Sequence, residues 1–151
     1  MKYSIYDHCG GLETIAQAER TELTNALSNC AVGPALRAAP RIRAAIIGSL
    51  IRDGWSNEVA VAVGSQITIT SAKSNVGLCL QTGNMSRMYA DLLKLQKMFL
   101  DGAIKAGVMI VPSAPAARLL GSNVANAERL QRELEIFRKV IHMPLIVLAF
   151  E

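Results

Sequence analysis

Gln81 is the residue whose place in the chain most invites chemistry. It lies near the end of a β-branched and aliphatic run, Val76 to Thr82, and opens the polar tetrad Gln81-Thr82-Gly83-Asn84 just where an amphipathic pattern begins. An amide side chain at such a junction offers a neutral oxygen and two N–H donors. The first backbone N–H groups of a helix suit an anion, so Asn84, Ser86 and Arg87 would line a phosphate pocket there. Two residues upstream stands Cys79, a thiol that becomes a nucleophile only beside a base or a positive charge that lowers its pKa. Of the two histidines, His8 and His142, the second is the one that would have to approach it. Lys73 precedes the run, as either a phosphate contact or an ordinary turn lysine, and Thr70 ends the apolar segment before that.

What this stretch lacks is equally informative. No acidic residue occurs between Glu58 and Asp91. A hard cation such as Mg²⁺ is held mainly by carboxylates and water, Thr and Gln bring only neutral oxygens, and a Cys thiol is a soft ligand. The segment therefore cannot hold Mg²⁺ from its own side chains. A metal beside Gln81 would need an acid from elsewhere: Glu58 or Asp53 nearby, Glu13 or Glu19 from further upstream. Cys9, Cys30 and Cys79 form an odd set without a CxxC pair, and with His8 they show no regular zinc spacing, so neutral thiols are the expectation.

These residues need a scaffold. Ile67 to Thr70 and Val76 to Thr82 read as two strands joined by a turn, Ser71 to Asn75, with Cys79 and Gln81 on one face and Leu78 and Leu80 on the other. Asn84 is a good N-cap for a helix running to Asp101-Gly102, with Met88, Leu92, Leu95, Met98 and Phe99 inward and Arg87, Asp91, Lys94 and Lys97 outward. Upstream, helices are expected over Gly11 to Asn29 and from Pro40 to Asp53, then Trp55 as a core plug and a strand over Val59 to Val63. Downstream come a strand over Ala106 to Val111, a loop from Pro112 to Gly121, a helix over Asn123 to Val140 and a final strand over Leu145 to Phe150. A crossover through the helix after Asn84 sets the Ala106 strand parallel to the Val76 strand. The expected fold is α/β, a three-layer α/β/α sandwich around a mixed five-stranded sheet.

The strand–turn–strand–helix layout resembles the catalytic hairpin of the BglII/BamHI-like type II restriction endonucleases, a branch of the PD-(D/E)XK nucleases. That family places an Asp late in the first strand and a Glu-x-Lys, Glu-x-Glu or Glu-x-Gln on the second, in a context such as I-D-x-x-K-x-x-V-x-L-E-V-Q. The frame here runs from Ile69 to Gln81, and Ile69, Lys73, Val76, Leu78 and Gln81 match it. Thr70 stands where the Asp would be and Cys79 where the Glu would be. The resemblance extends from about Gly54 to the C-terminus, which leaves residues 1–53 as variable N-terminal helices on a nuclease-like core of 54–151, in a single domain. It implies double-stranded DNA as partner, a homodimer, and Mg²⁺ as cofactor if the protein is active. The catalytic positions would be Thr70, Cys79, Gln81 and an imported Glu58, with Gln81 and Glu58 beside the metal. Two outcomes stay open: a divergent metal-dependent endonuclease, or a catalytically inactive dimerisation or regulatory partner.

Composition narrows the classes. The chain has 151 residues, of which 51% are hydrophobic and 19% charged, enough for one sizeable core and too apolar for disorder. No apolar run approaches the roughly 20 residues that span a bilayer, and the first residues lack a signal-peptide pattern, so a cytoplasmic protein is expected. The net charge of +4 is unevenly placed: Arg37, Arg41, Arg43 and Arg52 precede the first acid of their stretch, Asp53. Arg41 and Arg43 are candidate phosphate contacts, since clustered guanidinium groups gain affinity for nucleic acid by counterion release, and the competing reading is a solvated helix face.

Overall fold

The computed structural model describes residues 1–151. In chain order it contains β1 (Tyr3–His8), α1 (Gly11–Thr14), α2 (Gln17–Ser28), α3 (Ala39–Arg52), β2 (Val59–Ala60), β3 (Thr68–Ile69), β4 (Ser71–Lys73), β5 (Val76–Leu80), α4 (Met85–Leu100), β6 (Ala106–Pro112), α5 (Ala114–Leu120), α6 (Ala127–Ile136) and β7 (Leu145–Phe150). The central sheet has the order β1-β7-β6-β5-β4. Strands β5, β6 and β7 are parallel, and the two edges, β1 and β4, are antiparallel to their neighbours.

The three inner strands are apolar on both faces because both faces are covered. Val76, Leu78 and Leu80 of β5 join Val108, Ile110, Ile146 and Leu148 in a core shared with α2 and α3. Cys79, Met109, Val111, Leu145 and Val147 point the other way, onto α4 and α6. The two clusters hold 20 and 19 buried residues, so neither face of the sheet is left to solvent. The result is the α/β/α sandwich with a mixed five-stranded sheet expected from the sequence.

The membership of that sheet differs from the expectation. The N-terminal segment is a strand, β1, paired along its full length with β7 from Tyr3↔Phe150 to His8↔Leu145. As an edge strand it alternates exposed Ile5 and Asp7 with more buried neighbours, a pattern too polar to stand out in so short a run. Residues 1–53 are thus not helices alone. The segments Val59 to Val63 and Ile67 to Thr70 leave the central sheet and form a two-stranded ribbon, β2 with β3. The hairpin turn is also shorter than expected. Ser71, Ala72 and Lys73 pair with Leu78, Gly77 and Val76, and only Ser74 and Asn75 turn, both at positive φ, which is the tight two-residue geometry that suits strand twist.

Helix boundaries shift for local reasons. The expected Gly11–Asn29 helix breaks at Ile15 and Ala16, whose backbone is extended; Ile15 thereby drops into the core, 1% exposed. Gly11 is needed at that corner because a Cβ would strike the backbone of Leu145. The expected loop after Pro112 contains α5, begun by Ser113, whose hydroxyl accepts the N–H of Ala116, and by Pro115 in the first turn, where proline favours a helix start. The last helix, α6, begins after the Asn126 cap and is shorter than the expected Asn123 to Val140. No helix is long and apolar enough to cross a membrane.

Candidate functional site

The C-terminal end of β5, the β3–β4 junction, α3 and α4 enclose a cleft of about 540 Å³. Strand β5 ends at Leu80, and Gln81 continues its line by donating its backbone N–H to the Ile110 carbonyl at 2.9 Å. Thr70 lies between β3 and β4, and its hydroxyl oxygen accepts the N–H of Leu80 at 3.0 Å. From α3, Arg43 reaches across to the same place. Its guanidinium donates to the Leu80 carbonyl at 2.6 Å and makes a longer 3.5 Å contact with the Thr70 hydroxyl.

On the α4 side, Gln81 is 9% exposed and anchors a chain of polar contacts. Its oxygen accepts the N–H of Gly83 at 2.9 Å, and its amide donates to Asp91 Oδ2 at 2.8 Å. Asp91 Oδ1 in turn accepts from Lys94 Nζ at 2.8 Å. Asp91 was expected on the outer face of its helix; at 7% exposure it is buried instead. The sequence did carry the signal: Asp91 follows Met88 by three and precedes Leu95 by four, so all three share one helical face. An acid on the flank of an apolar stripe is held there by its partners, Gln81 and Lys94.

The cleft also carries Arg87 and Glu58, giving three cations, Arg43, Arg87 and Lys94, against two acids, Glu58 and Asp91. Lys94 is paired with Asp91, whereas no carboxylate lies within ion-pair distance of Arg43 or Arg87. Glu58 is exposed, and one of its oxygens accepts the Thr68 hydroxyl at 3.2 Å.

The remaining expected site residues lie elsewhere or are otherwise engaged. Cys79 shares the Gln81 face but sits in the core at 1% exposure. Burial first, and the negative charge of Asp91 second, push its thiol up to about 12, so it stays protonated and inert at neutral pH. His142 is no partner for it: this residue packs edge-on against Phe99 and meets Gln96 before the start of β7. Lys73 donates at 2.6 Å both to Glu22 Oε1 and to the Asp53 carbonyl, which ties α2 and the end of α3 to the hairpin. Glu22 completes that knot by accepting the Trp55 indole N–H at 2.9 Å. Arg41 is exposed on α3 away from the cleft lining. Asn84 caps α4 by accepting the Ser86 N–H at 2.8 Å.

The anion seat expected at the start of α4 is partly filled by the protein itself. The N–H of Gly83 goes to Gln81, that of Met85 to the Asn123 carbonyl, that of Ser86 to Asn84 Oδ1, and that of Arg87 to the Asn84 carbonyl. The N–H groups of Thr82 and Asn84 have no acceptor within the chain, and Thr82 lines the cleft, so side-chain cations are joined there by a backbone amide.

The donor set can be tested against a divalent metal. Thr70 brings a hydroxyl already accepting from Leu80 and facing a guanidinium. Both oxygens of Asp91 and the oxygen of Gln81 have donors on them. No three acidic, thiol or imidazole groups converge anywhere in the chain. With Arg43 beside Thr70, a second positive charge would be repelled at the spot where carboxylates would be required. The residues present do not fit Mg²⁺. Of the acids considered as imports, Asp53 sits at the C-terminal end of α3 outside the cleft lining, and Glu19 is buried on α2, where its own N–H, then the Ser74 hydroxyl, hold its carboxyl below the usual range. Only Glu58 reaches the cleft.

Comparison with known proteins places this arrangement. The model of the family described as restriction endonuclease BglII/BglIII matches residues 3–150. A crystal structure of restriction endonuclease BglII complexed with a DNA 16-mer superposes with a TM-score of 0.86 at 14% identity, over 99% of this chain and 76% of the other. A crystal structure of free BglII gives a TM-score of 0.76 at 15% identity, over 100% and 80% of the two chains. Comparison with curated protein sequences yields no significant match.

Proposed function

The chain belongs to the BglII/BglIII restriction endonuclease family, and from that membership we propose that it binds double-stranded DNA in the cleft between α3 and α4 without hydrolysing it through Mg²⁺. One observation carries this reading. Two guanidinium groups without acid partners, Arg43 and Arg87, face a cleft in which the family's acidic positions are Thr70 and a buried Cys79. Phosphodiester hydrolysis of the metal-dependent kind needs an ion to polarise the phosphate and to generate hydroxide at neutral pH. Neutral or thiol ligands beside an arginine do not hold that ion. Phosphate binding needs only positive charge and donors, and these the cleft retains. The superposition on a DNA-bound BglII supports the partner by fold alone.

The competing reading, a divergent endonuclease using acids from elsewhere, draws on Glu58 and Asp91 lining the same cleft as Gln81. A salt series of gel shifts on duplex DNA, together with plasmid cleavage in Mg²⁺ or Mn²⁺, separates the two. Binding that weakens steeply with salt and leaves supercoiled plasmid intact supports the proposal. Nicking that disappears on Glu58→Ala or Asp91→Ala establishes the endonuclease instead, and no binding even at low salt removes DNA from the account.

We propose further that two copies act together. Leu93 and Leu100, 58% and 66% exposed, lie seven residues apart on α4 and so share its outward face. These two leucines, with Lys97 between them, are the apolar surface of α4 that a second copy would cover.

A further inference from the structure

Resting on the DNA-binding reading, we infer that the cleft is a metal-independent seat for one backbone phosphate, with the Arg43 guanidinium in the position where a nuclease of this fold would require its cation. Arg43 is fixed by the two groups that frame the end of the hairpin, the Leu80 carbonyl at 2.6 Å and the Thr70 hydroxyl at 3.5 Å. A guanidinium carries five N–H donors in a planar fork. These two contacts leave donors available, and no carboxylate is near enough to take them. A held, planar, unneutralised cation at the side of a concave site matches the geometry of a phosphate oxygen pair. Arg87, from the first turn of α4, supplies a second positive charge from the other wall.

The remaining polar groups regulate how much charge the phosphate meets. Lys94 is held by Asp91, and Asp91 is held by Gln81, which is itself held by the Gly83 N–H. Asp91 therefore keeps Lys94 in place and cancels its charge. Its role is to position Lys94, and its own negative charge opposes an anion. This assigns opposite signs to two neighbours. Removing the Arg43 charge weakens phosphate binding, and removing the Asp91 charge strengthens it. A metal-ligand role for Asp91 predicts the reverse wherever Mg²⁺ is present, because the variant then loses the ion that would bridge to the phosphate.

The test measures affinity for a short duplex across a salt series in EDTA and again in Mg²⁺, with inorganic phosphate as a second probe. In the wild type, duplex binding persists in EDTA and gains nothing from Mg²⁺. Arg43→Gln lowers the slope of log affinity against log salt by about one, the loss of one phosphate contact, and Arg43→Lys restores it. Arg138→Gln, on an exposed arginine paired with Glu135 beyond α6, leaves the slope unchanged. Asp91→Asn raises affinity for the duplex about fivefold in EDTA, the effect of one unit charge at short range in a wet site. Displacement of the duplex by millimolar inorganic phosphate indicates that the seat takes any phosphate oxyanion, whereas failure to displace it confines the seat to a phosphodiester within a strand; both leave Arg43 as its ligand. An unchanged slope in Arg43→Gln, a requirement for Mg²⁺, or a loss of affinity in Asp91→Asn overturns the inference while DNA binding stands. Should Arg43→Gln fail to fold, Arg87→Gln and Asp91→Asn carry the same opposite signs. Absence of any duplex binding in the wild type instead refutes the reading on which the inference rests.

Discussion

Cys79 shows how one substitution changes what a site is able to do. At a position where the family pattern carries an acid, a thiol needs no counter-charge, so it withdraws among Met109, Val147 and the α4 side chains instead of facing the cleft. Its folded pKa stands at about 12 against an ordinary 9.0. Between those values the unfolded chain ionises and the folded one does not, so unfolding releases a proton and stability falls as pH rises from about 9 to 12. The slope reaches about 1.4 kcal/mol per pH unit for a single group. Cys79→Ala is expected to flatten that limb of a denaturation series, and an identical alkaline slope in the variant contradicts the assignment. The same burial makes Cys79 slow to alkylate at neutral pH while half-exposed Cys9 reacts first; equal rates count against it. Gln81 behaves as the opposite case, a polar group that stays because it is satisfied. Gln81→Ala leaves the buried Asp91 with only Lys94, an uncompensated acceptor that costs about 1–3 kcal/mol, read as a fall in the denaturation midpoint. No change there would detach Gln81 from the polar chain.

At the scale of elements, the contacts of Lys73 support the structural one of the two roles that its position allows. It matches the family's turn lysine, yet the structure engages it with Glu22 and the Asp53 carbonyl, which fastens α2 and α3 to the hairpin. Lys73→Ala is expected to lower stability by about 1–2 kcal/mol, the range for a charge-assisted hydrogen bond that is partly exposed, while duplex affinity changes less than twofold. A large loss of affinity at full stability reverses that assignment. The knot was not legible because it joins residues 51 positions apart, and no local pattern reports such a contact. What was legible followed local periodicity: the apolar runs of β5, β6 and β7, the Asn84 cap, and the stripe of α4 through Met88, Leu92, Leu95 and Met98. What was not legible needed tertiary context. β1 is visible only beside β7, α5 was hidden by prolines that begin a helix as readily as they end one, and the partition of Ile67 to Lys73 between two strands rests on a break at the single residue Thr70, with β3 pairing to β2 and β4 to β5. For the site, the hairpin frame led to Thr70, Cys79 and Gln81, and the arginine cluster pointed to Arg43. Asp91 and Lys94 read as outward residues because charged side chains on a helix default to its solvent face, a rule that fails where a buried partner such as Gln81 waits.

For the molecule as a whole, one cleft per chain meets only part of a duplex, whose two strands are related by local two-fold symmetry. A symmetric pair of chains places one cleft on each strand, and such pairs are built from one self-complementary patch. Helix α4 joins the two requirements. Its inner turn supplies Arg87, Ala90, Asp91 and Lys94 to the cleft, and its outward face carries Leu93 and Leu100. Two copies meeting along this face would hold their clefts in a fixed relation, so dimerisation and DNA affinity should be coupled. Light scattering in solution is expected to return twice the 16.2 kDa mass of the chain. The double substitution Leu93→Glu and Leu100→Glu should return the single mass, with a melting transition little changed because both side chains are exposed, and surface changes of this kind usually fall within about 0.5 kcal/mol. Duplex affinity should drop by tenfold or more, since the second cleft then binds as an independent molecule instead of at a high effective concentration. A wild type of single mass, or a charged double variant that still pairs, places the contact on another face and leaves the α4 stripe without a role.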